Sequence, residues 1–147
     1  MNRRNVMLSM TLLPVVWTWR SAHANEADFD KAVRTFLGGA KPEQARVTLK
    51  IEPLIDNGNS VPVTVLVDHP MTPDKHIREI ALFNEKNPQP DIAVFQLTPM
   101  NGRAEISTRI RLAGTQRVAA IARASDGRCY IQTLEVIVTT AACVEMD

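Results

Sequence analysis

Apolar positions between Asn25 and Leu37 recur with the period of a helix. Phe29, Ala32, Val33, Phe36 and Leu37 fall at i, i+3, i+4, i+7 and i+8 and form one apolar face. Asn25 is placed to cap the start, with Asp28 at the third position of a weak capping pattern. Gly38-Gly39 ends the helix, because glycine accepts the left-handed conformation that closes one. From Arg46 onward the period drops to two. Val47, Leu49 and Ile51 alternate with Arg46, Thr48 and Lys50, the pattern of a half-buried strand. Val61, Val63, Val65 and Val67 alternate with Pro62, Thr64, Leu66 and Asp68, so the valines are the predicted inward face. Pro62 donates no ladder bond, which starts this strand at an edge or a bulge.

Further strands are predicted at Ile77–Phe83, Ile92–Leu97, Ala104–Leu112, Val118–Ala124 and Tyr130–Val138. Turn chemistry separates them: Asp56-Asn57-Gly58-Asn59, His69-Pro70-Met71-Thr72-Pro73, and the stretch from Asn84 to Pro90. Asn101-Gly102 and Asp126-Gly127 read as hairpin signals. About seven short strands without a βαβ alternation predict an all-β, immunoglobulin-like antiparallel β-sandwich. The N-terminal helix is expected to pack at one end or side of it.

The length of 147 residues allows one domain and leaves no room for a second. A 45% hydrophobic, 22% charged composition excludes a disordered chain. The net charge of +1 is unevenly spread. Arg3, Arg4 and Arg20 lie in the first 24 residues without any acid, so the remainder is slightly acidic. That balance is wrong for a nucleic-acid partner, since phosphate binding needs a basic surface.

Met1 to Ala24 reads as an export signal. Arg3 and Arg4 precede an apolar stretch from Val6 to Trp19, and Ala22-His23-Ala24 is a small-x-small cleavage pattern. The stretch is about 14 residues, short of the roughly 20 that a membrane span needs, and Pro14 interrupts it. The expected organisation is therefore a signal over 1–24, a sandwich domain over 25–140 and a C-terminal arm over 141–147. Cleavage leaves no membrane attachment, and the expected location is the periplasm; an uncleaved anchor is the other reading. The Arg pair points to twin-arginine export. Asn2 before the pair and Asn5-Val6-Met7-Leu8 after it keep the general secretory route as the alternative.

No catalytic constellation is legible. Asp68-His69 and Asp74-x-His76 are metal-ligating types flanking a Pro-rich turn, but the same residues are common in polar turns, and no metal site is assigned. Ser60 and Ser107 sit in no nucleophile elbow or triad pattern. No Gly-rich phosphate loop follows a strand, and no cofactor is expected. Arg103, Arg109, Arg111, Arg117 and Arg123 form a basic stripe, read as the solvated face of a strand pair or as a docking face for an acidic partner.

The two cysteines are more informative. Cys129 and Cys143 stand at opposite ends of the last predicted strand. Nine extended residues span about 30 Å, whereas a disulfide needs Cα atoms within about 7 Å. An internal Cys129–Cys143 bond is therefore not expected. Cys129, beside Tyr130, reads as a packed or half-packed thiol. Cys143 follows the last strand, where chains are usually mobile and exposed. From position alone it is either an incidental thiol or a site of covalent chemistry or intermolecular pairing.

The order of segments resembles a known family. A helix ending Phe36-Leu37-Gly38-Gly39 is followed by Asn57-Gly58-Asn59-Ser60-Val61-Pro62-Val63, then by His69-Pro70-Met71-Thr72. Lys86-Asn87-Pro88-Gln89-Pro90 and Ser107-Thr108-Arg109-Ile110-Arg111-Leu112-Ala113, with Thr115-Gln116, come after. Together these resemble SoxY, the sulfur-carrier subunit of the bacterial thiosulfate-oxidising Sox system, from about Phe29 to the C-terminus. The resemblance implies a carrier rather than an autonomous enzyme, exported with a twin-arginine signal. It implies a heterodimer with SoxZ, itself an immunoglobulin-like sandwich. A haem enzyme that loads thiosulfate and a hydrolase that releases sulfate are the implied clients. The family's single cysteine, in a C-terminal GGCGG arm, matches Cys143.

The arm departs from that pattern. Ala141-Ala142-Cys143-Val144-Glu145-Met146-Asp147 stands where the family has GGCGG, and all four glycines are missing. Alanine and valine restrict the backbone, so a stiffer arm is expected. Glu145 and Asp147 place like-signed charge near the sulfur, which disfavours the thiolate.

Overall fold

The structure, a computed structural model, describes residues 26–141. The expected signal over 1–24, the Asn25 cap and Cys143 lie outside the described residues. The amphipathic segment forms α1 (Glu26–Leu37), with Glu26 and Asp28 in its first turn and Arg34 in its last, as the helix dipole favours. Gly38, at φ 59°, closes it by donating to the Arg34 carbonyl at 3.1 Å.

Eight strands follow: β1 (Val47–Lys50), β2 (Leu54–Asn57), β3 (Val61–Val67), β4 (Ile77–Asn84), β5 (Asp91–Gln96), β6 (Glu105–Ile110), β7 (Gln116–Ala124) and β8 (Cys129–Thr140). They build a three-stranded sheet in the order β1-β3-β6 and a five-stranded sheet in the order β2-β8-β7-β4-β5. The expected sandwich is present, and its alternation is as read: Val61, Val63, Val65 and Val67 are all buried. They meet Ile80 and Leu82 of β4, Val118 and Ala120 of β7, and Val136 and Val138 of β8 in the core between the sheets.

The helix lies across the outer face of the five-stranded sheet. Phe29 packs with Ala81 and Phe83 of β4 and with Ala119 and Ile121 of β7, in a second apolar cluster. Phe36 and Phe83 meet edge to face, centroids 5.7 Å apart. This explains the unbroken apolar runs Ile80–Phe83 and Val118–Ala122: strands covered on both faces carry no polar alternation.

Two local expectations are corrected. Asp56-Asn57 is not turn but the end of β2, which pairs in parallel with β8, and only Ile55 of β2 is buried. A four-residue strand with one buried side chain carries no readable alternation, and its partner lies some 80 residues away. Asn101-Gly102 is not a hairpin either. β5 pairs with β4 and β6 with β3, so this segment carries the chain from one sheet to the other. It does so through a 3-10 turn at Pro99–Asn101, with Gly102 at φ 72°. Asp126-Gly127 does join β7 to β8 as a hairpin, with Ala124 N–H donating to the Arg128 carbonyl at 2.9 Å.

Candidate functional site

The strand that leads toward Cys143 outruns its neighbour. The β7–β8 ladder begins at Gln116 opposite Val136, so Ile137–Thr140 extend past the start of β7. On their other side these residues pair with β2: Leu54 with Ile137, Ile55 with Val138, and Asn57 with Thr140. The Ile137 N–H donates to the Pro53 carbonyl at 2.9 Å, and the Gly58 N–H donates to the Thr140 carbonyl at 2.8 Å. The Thr139 hydroxyl donates to the Asp56 carbonyl at 3.0 Å. The Val138 N–H donates to the Thr115 hydroxyl oxygen at 3.0 Å.

Three loops converge on this end. The Gly58 carbonyl accepts from the Leu112 N–H at 2.9 Å, tying the Asn57–Ser60 turn to the loop between β6 and β7. Asn87 braces that loop from the other side. Its Nδ2 donates to the Arg111 carbonyl at 2.8 Å, while its Oδ1 accepts from the Ala113 N–H at 2.9 Å and from Gln116 Nε2 at 3.0 Å. Gln116 is buried, and its Oε1 accepts from the Lys86 N–H at 2.8 Å. Buried Asn84 accepts from the Asn87 N–H at 3.0 Å and donates to the Gln89 carbonyl at 3.2 Å. Buried polar groups are retained when paired in this way. So the Asn57–Ser60, Lys86–Pro90 and Arg111–Gln116 segments, distant in sequence, form one surface beside the end of β8.

The opposite end holds the other thiol. Cys129 opens β8 and is 1% exposed, with its Sγ 3.8 Å from the Gly127 carbonyl oxygen. Tyr130 beside it is fully buried under the Arg46 guanidinium, and the His69 ring lies 6.2 Å away. Asp126 closes the hairpin by accepting from the Arg128 N–H and guanidinium, which hold its carboxyl below the ordinary value and raise Arg128 in turn. His69 Nδ1 lies 2.8 Å from the Pro70 carbonyl, and His76 Nδ1 lies 3.2 Å from that of Thr72. Among the described residues no three His, Cys, Asp or Glu side chains converge. Ser60 accepts from Arg109, and Ser107 bonds Thr64, so each hydroxyl is engaged away from the histidines.

The five arginines do not form one stripe. Arg109 is on β6, in the three-stranded sheet, whereas Arg117 and Arg123 are on β7 and clasp the helix. Arg117 lies over the Phe29 ring and donates to Glu26 and Glu85 at 3.0 and 3.1 Å. That hydrogen bond holds the Glu85 carboxyl below its ordinary value, and the pair raises Arg117. Arg123 lies over Phe36, donates to Glu79 at 2.7 Å and also donates to the Phe36 carbonyl.

Comparison with known proteins assigns this architecture. A family model, sulfur oxidation protein SoxY, matches residues 33–143. The chain belongs to the SoxY family. The sulfur carrier protein SoxY from Chlorobium limicola f thiosulfatophilum is 30% identical, with a TM-score of 0.62 over 77% of this chain and 97% of that one. Superoxide reductases share the fold alone. One (neelaredoxin) from Ignicoccus hospitalis is 16% identical, with a TM-score of 0.57 over 64% of this chain and 80% of that one. Another from Nanoarchaeum equitans is 20% identical, with a TM-score of 0.52 over 66% of this chain and 99% of that one. A search of curated proteins gave no match.

The SoxY match runs through Cys143. Three of the segments that carry the family likeness are those gathered at the end of β8, whereas Met71-Thr72 lies at the opposite end. Sequence reasoning gave Asn87, Thr115, Gln116 and Thr139 no individual role. The available signal was an Asn, a Gln and hydroxyls set in polar loops, residue types that bond backbone when secondary structure leaves groups unpaired.

Proposed function

We propose that this SoxY-family protein is a periplasmic sulfur carrier that holds sulfur intermediates covalently on Cys143 during thiosulfate oxidation, in a heterodimer with a SoxZ-like partner. The observation that carries the reading is the family match, which extends through Cys143. The course of β8, ending at Thr140 three residues before that thiol, supports it. The export pattern of Met1 to Ala24 supports the location.

The protein contributes a nucleophile and a docking surface and is not itself the catalyst. In loading, the Cys143 thiol gives up its proton to solvent and its sulfur bonds to the outer sulfur of thiosulfate, while two electrons leave to a haem enzyme. In release, water attacks the terminal sulfonate, giving sulfate and two protons and leaving a persulfide on Cys143. The carrier then returns for further oxidation.

A second reading has its own observation. The stretch Ala141–Asp147 contains no glycine and two acids. An interaction module with this fold and an inert tail cysteine would tolerate such a tail. Mass spectrometry of the protein purified from its native periplasm separates the two. Sulfur adducts on Cys143 are expected of the carrier, and an unmodified thiol in thiosulfate-grown cells supports the module. Cys143→Ser should abolish thiosulfate-dependent function; intact function overturns the carrier reading. If sulfur transfer appears only when Ala141, Ala142, Val144 and Glu145 are replaced by glycine, the native protein is a lapsed carrier.

A further inference from the structure

Along one side of the sandwich, β8 is paired at both ends but not in its middle. Glu43 lies opposite Tyr130: its N–H donates to the Cys129 carbonyl and its carbonyl accepts from the Ile131 N–H, both at 2.9 Å. The chain then leaves for the other sheet, through Arg46 at φ 64°, and returns at Pro53, whose carbonyl accepts from the Ile137 N–H. The Ile131 and Ile137 N–H groups face this side, so by the alternation of a strand those of Thr133 and Glu135 face it too. The Ile131 carbonyl, the Thr133 N–H and carbonyl, and the Glu135 N–H are therefore used neither by the β7 ladder nor by the β2 ladder.

β1 borders the same opening. The Arg46 carbonyl accepts from the Asp68 N–H, so Thr48 and Lys50 also bond toward β3, and the carbonyls of Val47 and Leu49 face the opening. Val47 and Leu49 are buried, and buried main-chain groups are nearly always paired. The Leu49 N–H reaches across to Gln132 Oε1. Between the two edges lies a cavity of about 350 Å³, lined by Gln44, Val47, Ile131, Gln132 and Thr133.

We propose that this seam is a docking site for a short, extended, uncharged segment of another polypeptide chain, laid along β8 between Glu43 and Pro53. Register sets its length. Two residues, opposite Gln132 and Leu134, meet all four open groups of β8: each gives its N–H to one carbonyl and accepts from one N–H. With the residue between them the segment spans about 10 Å, inside the roughly 20 Å of strand from Tyr130 to Val136. A longer strand collides with Glu43 or Pro53, which keeps this edge from the open-ended pairing that bare edges invite. Charge sets its composition. None of the five lining residues ionises, so a charged side chain there loses its water and gains no counter-ion. Main-chain bonds supply the affinity and the cavity the selectivity, as in other strand additions. The site does not involve Cys143, and it stands or falls apart from the carrier reading.

The probe is N-acetyl-Val-Ala-Val-amide, titrated into the isotope-labelled full chain and followed by NMR. In the free protein, the Thr133 and Glu135 amides should exchange about 100-fold faster than those of Gln132 and Leu134, which bond toward β7. Millimolar probe should shift the Thr133 and Glu135 signals to saturation and slow their exchange about fivefold, leaving Val118 and Ala120 unchanged. N-methylation of both valines removes the inward N–H groups and should abolish the response, whereas N-methylation of the alanine, whose N–H faces away, should preserve it. N-acetyl-Asp-Ala-Asp-amide should bind about tenfold more weakly. Thr133→Pro deletes an N–H that serves no ladder, so it should fold and lose the probe. If it does not fold, the two N-methylated probes on the wild type decide. No shift at Thr133 and Glu135 with about 10 mM probe, an equal response to both methylated probes, or full binding by folded Thr133→Pro overturns the proposal. So do shifts of these two amides with protein concentration alone, which would make the occupant a second copy.

Discussion

The two ends of β8 are built by different means. At its start, the Asp126-Gly127 hairpin folds the chain back within four residues, and Cys129 and Tyr130 enter the core at once. At its finish, β8 is held by Pro53, Asp56 and Gly58 from the first third of the domain and by Thr115 from a loop that Asn87 braces. The first end is turned by a local hairpin, is edged by Glu43, whose N–H donates to the Cys129 carbonyl at 2.9 Å, and seals its thiol. The second is assembled from remote segments. One strand thus carries a thiol shielded from reagents at one end, and its other end, at Thr140, lies about 36 Å of strand away. A carrier with two cysteines needs that separation, since a nearby second thiol would attack the sulfur adduct and release it as a disulfide.

Reactivity should divide the ends most sharply. Cys129 is reached only when the hairpin opens, and an opening cost of about 4 kcal/mol slows alkylation roughly 1,000-fold. Iodoacetamide followed by peptide mass mapping should modify Cys143 first, and Cys129 at a comparable rate only in denaturant. Equal rates in native buffer would erase the distinction between the ends.

The remote end should be the more fragile to a single polar deletion. Gln116→Leu keeps the volume but leaves the Lys86 N–H without its acceptor and takes from Asn87 Oδ1 one of its two donors. It should cost about 2–3 kcal/mol in urea unfolding. Exchange should rise first at Lys86 and Val138, while Cys129 stays as slow as before. A loss below about 0.5 kcal/mol would mean that the network does not brace this end.

Glu85→Gln should cost about 1 kcal/mol near neutral pH, because Arg117 is partly exposed and solvent screens the pair. Glu85 titrates below its ordinary value in the folded protein, so its contribution is full above that value and is lost as pH falls through the folded value. Melting curves of Glu85→Gln and wild type should therefore differ at pH 7 and converge in acid, once the pH has fallen through the folded Glu85 value. A gap that widens in acid would reverse the sign.

The smallest effect belongs to the local end. Among the described residues, the Tyr130 hydroxyl is buried without a hydrogen-bond partner. Tyr130→Phe removes an unsatisfied group, so it should leave stability unchanged or raise it by up to about 1 kcal/mol. A loss of more than 1 kcal/mol would show that the hydroxyl is bonded after all.

By itself the sequence determined the helix, the valine face of β3, the β7–β8 hairpin and the position of Cys129 at the start of the last strand. Each follows from rules that act within a few residues: the 3.6 and 2.0 periods, Gly at a positive φ, and the rise of a strand. The family was legible too, from the order of its segments, and the family match confirms it. What tertiary structure decided is where distant segments meet. Asp56-Asn57 looked like turn because the four residues of β2 form a strand only against β8. Asn101-Gly102 looked like a hairpin because turn chemistry records that the chain bends, not which sheet it enters. The basic stripe dissolved because Arg117 and Arg123 face a helix that only the folded sheet brings over them. The Thr115–Val138 bond escaped notice for the same reason: it spans 23 positions, and no local rule links a loop hydroxyl to a backbone N–H that its own sheet has left unpaired.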